Sequence, residues 1–121
     1  MKDIRVITIN AKTRETSYIK IQPTLEKMRS ILKCEWIESQ GFYDYPPVDM
    51  LLDEEAGISN VEKHHFQLGH WSLINDVILV GRRGNEWCDV ELRLDDILPI
   101  LDFKVGQRAE QRSNEVYRLR Y

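Results

Sequence analysis

The amino-acid sequence predicts an α+β domain: a mostly antiparallel sheet of four to six strands, one main helix packed on one face, and one or two short helices. Two segments near the start, Asp3 to Asn10 and Thr16 to Gln22, alternate apolar with polar residues, as strands do. Thr24 to Lys33 has the apolar spacing of a helix. Val77 to Val80 is a continuous aliphatic run, which indicates a buried central strand.

The first two strands are expected to form a β-hairpin, because the short polar segment Ala11 to Glu15 joins them. Pro23 lacks a backbone N–H and should therefore end the second strand. Thr24 is well placed to cap the helix. The apolar side chains of this helix form one stripe, which we expect to lie on the sheet: Leu25, Met28, Ile31 and Leu32.

The middle of the chain predicts two more strands, Cys34 to Ile37 and Val48 to Leu52. Between them, Gly41 to Pro47 contains two prolines and is expected to be an exposed or edge loop, because proline cannot join a central ladder. Asp53 to Gly57 is predicted as a tight acidic turn with Gly57 at positive φ. Val61 to Leu68 is predicted to form one or two helical turns, capped by Ser59 or Asn60.

The predicted central strand is followed by a turn, Arg82 to Asn85, and by an alternating strand, Trp87 to Leu94, which should pair with it antiparallel. Asp95 or Asp96 should begin a short helix, because a carboxylate suits the free N–H groups of a helix start, and Pro99 keeps that helix short. The predicted core consists of Ile4, Val6, Ile19, Ile21, Leu25, Met28, Leu32, Val77, Leu79, Val90, Leu92, Ile97 and Leu101.

The length and composition narrow the class of protein. The 121 residues suffice for one domain, expected over residues 1–103, before a basic tail, residues 104–121, polar enough to be mobile. Cys34 and Cys88 stand in apolar, strand-like settings, so we expect buried free thiols, with a disulfide or a reactive role as alternatives. No apolar run has the form of a signal peptide or the length of a membrane span. We therefore expect a cytoplasmic protein that does not contact a membrane.

Charge segregation is the clearest functional signal. Residues 35–62 include no lysine or arginine and eight carboxylates: Glu35, Glu38, Asp44, Asp49, Asp53, Glu54, Glu55 and Glu62. The segment from Lys104 to Tyr121 has five basic and two acidic residues and so carries +3, which leaves −6 for the rest of a chain whose net charge is −3. The acidic stretch is either two solvated loops and an edge strand or an acidic, aromatic face for a basic partner. That face would consist of Phe42, Tyr43, Asp44, Tyr45, Asp49, Asp53, Glu54 and Glu55.

The sequence offers fewer candidates for a metal-binding, catalytic or nucleic-acid-binding site. His64, His65 and His70 lie close together in sequence, but the spacing of the last two matches neither a helical i, i+4 pair nor a zinc motif. We expect partly exposed or hydrogen-bonded histidines and no cofactor, with a metal site as the alternative. Gly81 to Gly84 lacks the residues of a phosphate-binding loop and is explained by a hairpin turn. The net charge of −3 for the whole chain argues against direct nucleic-acid binding by the basic tail. Its expected partner is the acidic face of its own chain or of a neighbouring subunit.

Four stretches resemble a small domain of unknown function found in bacteriophages, plasmids and other mobile elements. They are the strand pair Ile4 to Ile21, Pro23 to Met28, Leu51 to Glu55, and Asn75 to Gly81. The resemblance covers about residues 3–98. It implies a genomic setting, and the family has no agreed activity or active residues to carry over.

We therefore expect a non-enzymatic interaction protein that binds a host protein, such as an inhibitor of a host defence nuclease or of a nucleic-acid-binding protein. The alternative is a small-molecule or nucleotide-binding domain with metal-dependent hydrolase activity, at the three histidines and the carboxylates of Asp53 to Glu55. Trp36, Trp71 and Trp87 are expected either in the core or at an interface. Two of them near an exposed edge would indicate a homodimer.

Overall fold

The computed structural model describes residues 2–58 and 62–104. In chain order the elements are β1 (Ile4–Asn10), β2 (Glu15–Ile21), α1 (Leu25–Leu32), β3 (Ile37–Asp44), β4 (Pro47–Asp53), β5 (His65–Leu68), β6 (Trp71–Ile74), β7 (Val77–Arg83), β8 (Glu86–Cys88), α2 (Leu94–Ile97), a 3-10 turn (Leu98–Ile100) and β9 (Leu101–Asp102). The predicted caps Ser59 and Asn60, and the tail beyond Lys104, lie outside the described residues.

The main sheet is antiparallel and has six strands. Its order is β2-β1-β7-β4-β3, and β8 also pairs with β7. The first two strands form the predicted hairpin, in register from Ile4 opposite Ile21 to Asn10 opposite Glu15. The predicted central strand is confirmed, because β7 lies between β1 and β4 and its aliphatic run is fully buried.

Two core clusters lie on opposite faces of this sheet, because successive side chains of a strand point to opposite sides. One contains Ile4, Val6, Ile21, Met28, Leu32, Leu51, Ile78 and Val80. The other contains Ile7, Ile9, Ala11, Val48, Met50, Leu52, Phe66, Leu68, Leu73, Val77, Leu79, Val90, Leu92 and Ile97. The predicted core omitted every member contributed by β4, β5 and β6. Ile19 and Leu101, which were predicted in the core, are only half-buried and pack against it.

The helix α1 has eight residues and begins after Thr24, whose hydroxyl oxygen accepts a hydrogen bond of 3.1 Å from the Lys27 N–H. Met28 and Leu32 are buried, but the predicted burial of Leu25 is wrong, since its exposed fraction is 46%. Leu25 lies in the first turn, at the end of the helix axis, where less of a side chain is covered. Lys33 ends the helix in the left-handed conformation, with φ 56.

A second antiparallel sheet, of order β6-β5-β9, replaces the helical turns predicted for Val61 to Leu68. That prediction is wrong for the described part of the segment, where Phe66 and Leu68 are buried while His65 and Gln67 are half-buried. Alternation with a period of two is the pattern of a strand. Phe66, Leu68 and Leu73 attach this sheet to the main one through the larger core cluster.

The loop predicted for Gly41 to Pro47 is also largely wrong, because β3 continues to Asp44. As the last strand of its sheet, β3 needs a partner on one side only, and the sheet absorbs the irregular segment as a shift of register between Gly41 and Tyr43. Pro47 takes the first position of β4, a position at which strands tolerate proline. Cys34 to Trp36, predicted as strand, only lead into β3.

In the last described segments, the structure agrees more closely with the prediction from the sequence. The predicted strand from Trp87 onward pairs with β7 but is short, since β8 ends at Cys88. Asp95 and Asp96 lie in the first turn of α2, and the Arg93 N–H donates a hydrogen bond of 2.9 Å to Asp96 Oδ2. No helix within residues 2–58 and 62–104 combines the length and the apolar character that crossing a membrane requires.

Candidate interaction surface

The two chain ends of the β3–β4 hairpin come together at its open end. The Glu54 N–H donates a hydrogen bond of 2.9 Å to the Trp36 carbonyl oxygen, which ties the segment before β3 to the turn after β4. The turn is held by Asp53, whose Oδ1 accepts a hydrogen bond of 2.9 Å from the Glu55 N–H. We call this group the acidic end of the hairpin and define it as Glu35, Trp36, Asp53, Glu54 and Glu55.

The predicted tight turn is therefore present, but the role given to Gly57 is wrong. Positive φ occurs at Gly69 and Gly84 among the described glycines, and not at Gly57. The turn closes through carbonyl oxygens instead: the Ala56 N–H donates to the Asp53 oxygen at 3.2 Å, and the Ile58 N–H donates to the Glu55 oxygen at 3.1 Å. A turn of this kind needs no residue in the left-handed region.

The acidic end combines an aromatic side chain with free carboxylates. Trp36 has an exposed fraction of 54%, and Glu35, Glu54 and Glu55 are exposed. Among the residues that the structure describes, these three glutamates form no ion pair. Their negative charge therefore acts outward, toward solvent or a partner.

Cys34 directly precedes the acidic end and packs against the smaller core cluster. Burial of the thiol and the nearby Asp53 carboxylate raise the pKa of Cys34 to about 11, against a smaller opposing effect of Arg29. Burial also raises the pKa of Cys88. Both cysteines are free thiols, as predicted, but they are half-buried and not fully enclosed.

The predicted aromatic residues lie at the other end of the hairpin. Phe42, Tyr43 and Asp44 end β3, and Tyr45 belongs to the turn that leads to β4. Asp53 is the last of the seven residues of β4, so the length of that strand separates it from the aromatic residues, a span of about 20 Å at about 3.3 Å per residue. Phe42 packs against the larger core cluster, and its ring stacks on Tyr43 with centroids 5.4 Å apart. The structure therefore divides the predicted set into two groups.

Asp49 belongs to neither group. Its exposed fraction is 8%, and its Oδ1 accepts a hydrogen bond from Arg82 Nη1 in an ion pair between β4 and β7. A partner could not reach this carboxylate without breaking that pair. The role of Asp49 here is to connect two strands of the main sheet.

The histidines have separate surroundings in the fold. His64 Nε2 lies 3.5 Å from Glu62 Oε2, while His65 belongs to β5. His70 is exposed and stacks on Trp71, with ring centroids 6.0 Å apart. Within the described ranges, no three side chains of the metal-binding types form a group that could hold a metal ion.

A cavity of about 170 Å³ lies where the end of α1 meets β1 and the start of β7, and its lining includes Thr8, Lys33 and Asp76. Two of its polar side chains have local partners: Asp76 Oδ1 accepts from the Ala11 N–H at 3.1 Å, and the Thr8 and Ser17 hydroxyl oxygens lie 3.5 Å apart. Pockets for drug-sized ligands measure roughly 300–1,000 Å³. This cavity therefore gives no support to the nucleotide-binding alternative.

Sequence reasoning missed Trp36 as a site residue. Its neighbour Glu35 was counted in the acidic run, and Trp36 itself was placed either in the core or at an interface. The missing information was the pairing of Ile37 with Asp53, which brings residues 16 positions apart in sequence side by side. Trp71 and Trp87 are half-buried, so Trp36 is the most exposed of the three tryptophans.

Comparison with known proteins adds no further guide to this surface. No family model, no curated protein and no solved structure matches the chain significantly. The resemblance to a domain of mobile elements stays a prediction, and function has to be argued from the surface itself.

Proposed function

We propose that this protein is a non-enzymatic interaction protein that binds a basic surface of another protein through the acidic end of the β3–β4 hairpin. One observation carries the proposal: the hydrogen bond from the Glu54 N–H to the Trp36 carbonyl oxygen places a half-exposed indole next to carboxylates that form no ion pair with any residue the structure describes. Tryptophan is enriched at the centre of protein interfaces, where a partner surface covers it.

The indole and the carboxylates have different tasks in such a contact. Tryptophan is among the residues that dominate binding energy at protein interfaces, where one such side chain contributes about 2 kcal/mol or more. Carboxylates at the rim speed association with a basic partner and disfavour acidic ones. Trp36 would therefore supply affinity, while Glu35, Glu54 and Glu55 select the partner.

The class of partner follows from the sign of the charge. Proteins that bind nucleic acids expose lysine and arginine to neutralise phosphates. A compact group of carboxylates carries the same sign as phosphates and can occupy the same surface. The proposed partner is therefore a nuclease or another nucleic-acid-binding protein, in a host cell if the resemblance to mobile-element domains holds.

The test is affinity capture of the full chain from nuclease-treated lysates of a bacterial host, followed by competition. We expect one stoichiometric, basic protein, which added duplex DNA displaces because both ligands use the same surface. A captured protein that stays bound at saturating DNA would contradict the nucleic-acid-site proposal. A capture without any stoichiometric protein, in hosts that carry related mobile elements, would contradict the binding function.

A further inference from the structure

The strand β3 is the last strand on its side of the main sheet. In the part of the chain that the structure describes, β4 is its neighbour, and the sheet order ends at β3. The backbone N–H and C=O groups of an edge strand that point away from the sheet can pair with a strand of another protein. With eight residues, β3 is long enough for such pairing.

The regular part of β3 adjoins the acidic end. Ile37 to Gly41 pairs with β4 without interruption, and the register shifts only between Gly41 and Tyr43. Trp36 directly precedes this part, and its carbonyl oxygen is already fixed by Glu54. A strand added along Ile37 to Gly41 would therefore run straight into the surface proposed to bind a partner.

The side chains near this edge leave room for long partner side chains. Ser39 and Gly41 are small and exposed, and a side chain built at Gly41 would meet no atom within 4 Å. Tyr43, at the end of β3, has an exposed ring against which an arginine could stack. A partner strand with arginines at alternate positions would fit this surface.

Charge complementarity determines which kind of strand would pair with the edge of β3. Lysine is one residue that protects natural edge strands from pairing, and residues 35–62 contain no lysine or arginine. The register shift of β3 lies beyond Gly41 and leaves Ile37 to Gly41 regular. If two copies of β3 paired side by side, Asp44 and the acidic end of each copy would lie near the carboxylates of the other copy. Repulsion between these like charges disfavours self-pairing. A basic strand gains from the same charges.

We propose that a basic, extended segment of the partner adds to the main sheet as a strand along Ile37 to Gly41. This inference rests on the proposed function and specifies how the partner is recognised. Main-chain hydrogen bonds along β3 supply the alignment, and the carboxylates of the acidic end select arginine or lysine.

The experiment uses the full chain, labelled with ¹⁵N, and a capped nonapeptide of alternating arginine and valine. A matched peptide has the same side chains but N-methyl groups on alternate residues, which remove the hydrogen-bond donors along one edge and keep the charge. We expect the first peptide to bind and to slow amide exchange of β3, and the N-methylated peptide to bind at least about tenfold more weakly. An alternating glutamate and valine peptide should not bind.

The outcomes separate this inference from the proposed function. Equal binding of the two basic peptides, without protection of β3 amides, would overturn strand addition and leave charge attraction at the acidic end intact. Failure of both basic peptides to bind at low salt would also overturn strand addition. The capture experiment then tests the binding function on its own, since it makes no demand on the partner's backbone.

Discussion

The backbone of Glu54 bonds to the backbone of Trp36 over 2.9 Å, and through this contact the segment before β3 and the turn after β4 form one surface. The bond lies between main-chain atoms, so it does not depend on either side chain. Substitution of the indole or the carboxylate should therefore change what the surface binds while leaving its geometry in place. This separation makes the proposed function open to a mutational test.

Trp36→Ala should weaken binding of the captured partner by about 2 kcal/mol or more, because the indole is the proposed anchor. Its loss should change the free energy of unfolding by less than about 1 kcal/mol, since half of the side chain is already exposed. Calorimetric titration and urea unfolding measure the two quantities. Tyr45→Ala is the matched control: this ring is 91% exposed but lies at the other end of the hairpin, and binding should hardly change. A larger effect of Tyr45→Ala would move the site to that end.

Arg82→Met should lower the free energy of unfolding by about 2 kcal/mol, because it leaves the nearly buried carboxylate of Asp49 without its cation. The methionine keeps the apolar stem of the arginine, so the loss reports on the charge. Urea unfolding of the single variant and of Arg82→Met combined with Asp49→Leu checks the reason. The double variant should be more stable than the single one. A further loss of stability in the double variant would show that the unpaired Asp49 carboxylate is not the cause of the destabilisation.

Gly81→Ala should lower the free energy of unfolding by about 2 kcal/mol or more, because its methyl group would lie 2.2 Å from the Asp89 carbonyl oxygen. Both β7 and the chain after β8 would have to shift. Gly41→Ala is the control within the same sheet, since nothing lies within 4 Å of the added group, and it should change stability by less than about 0.5 kcal/mol. Thermal unfolding of the two variants should differ clearly. Similar melting temperatures would contradict the close approach at Gly81.

Alkylation of Cys34 tests the environment next to the acidic end. Burial and the Asp53 carboxylate both disfavour the thiolate, which raises the pKa from its ordinary value of 9.0 to about 11. Because the thiolate is the reactive form, a Cys88→Ser variant should react with iodoacetamide at pH 8 about a hundredfold more slowly when folded than in urea. The rate for the folded protein should go on rising with pH toward 11. A rate that levels off near pH 9 would show an ordinary thiol and a more distant Asp53.

Local patterns in the sequence were sufficient for the elements that form with their nearest neighbours along the chain. The alternation on both sides of Ala11 to Glu15 predicts the first hairpin, and Thr24 predicts the start of α1. Val77 to Val80 predicts the central position of β7, because only a strand covered on both faces can bury a continuous aliphatic run. These features depend on few residues beyond their own segments.

The second sheet and the course of β3 could not be predicted in this way. The four residues of β5 become a strand because β6 and β9 pair with them and Phe66 fills the core, whereas the capping residues before them favoured a helix. The continuation of β3 past Gly41 depends on its position at the edge of the sheet. In both cases long-range pairing overrides the local preference.

The same limit applies to the candidate site. The sequence indicated the acidic run, and the predicted set included three residues of the acidic end, Asp53, Glu54 and Glu55. It joined them to Phe42 and Tyr45, which a whole strand separates from them, and placed Asp49 on the face although Arg82 binds it. The prediction assumed that residues close together in the sequence are also close in space. In an antiparallel hairpin, however, the first and last residues lie side by side, and the residues of the turn lie a strand length away from them.

The measurement that tests the central claim most directly is capture of the partner by two charge-reversal variants side by side. One carries Glu35→Lys, Glu54→Lys and Glu55→Lys, and keeps Asp53 because its carboxylate holds the turn. The other carries Glu15→Lys, Glu86→Lys and Glu91→Lys, which are exposed and lie away from β3. We expect the first variant to lose the partner and the second to retain it, with both folded by circular dichroism. Equal retention, or equal loss, would contradict a binding site at the acidic end.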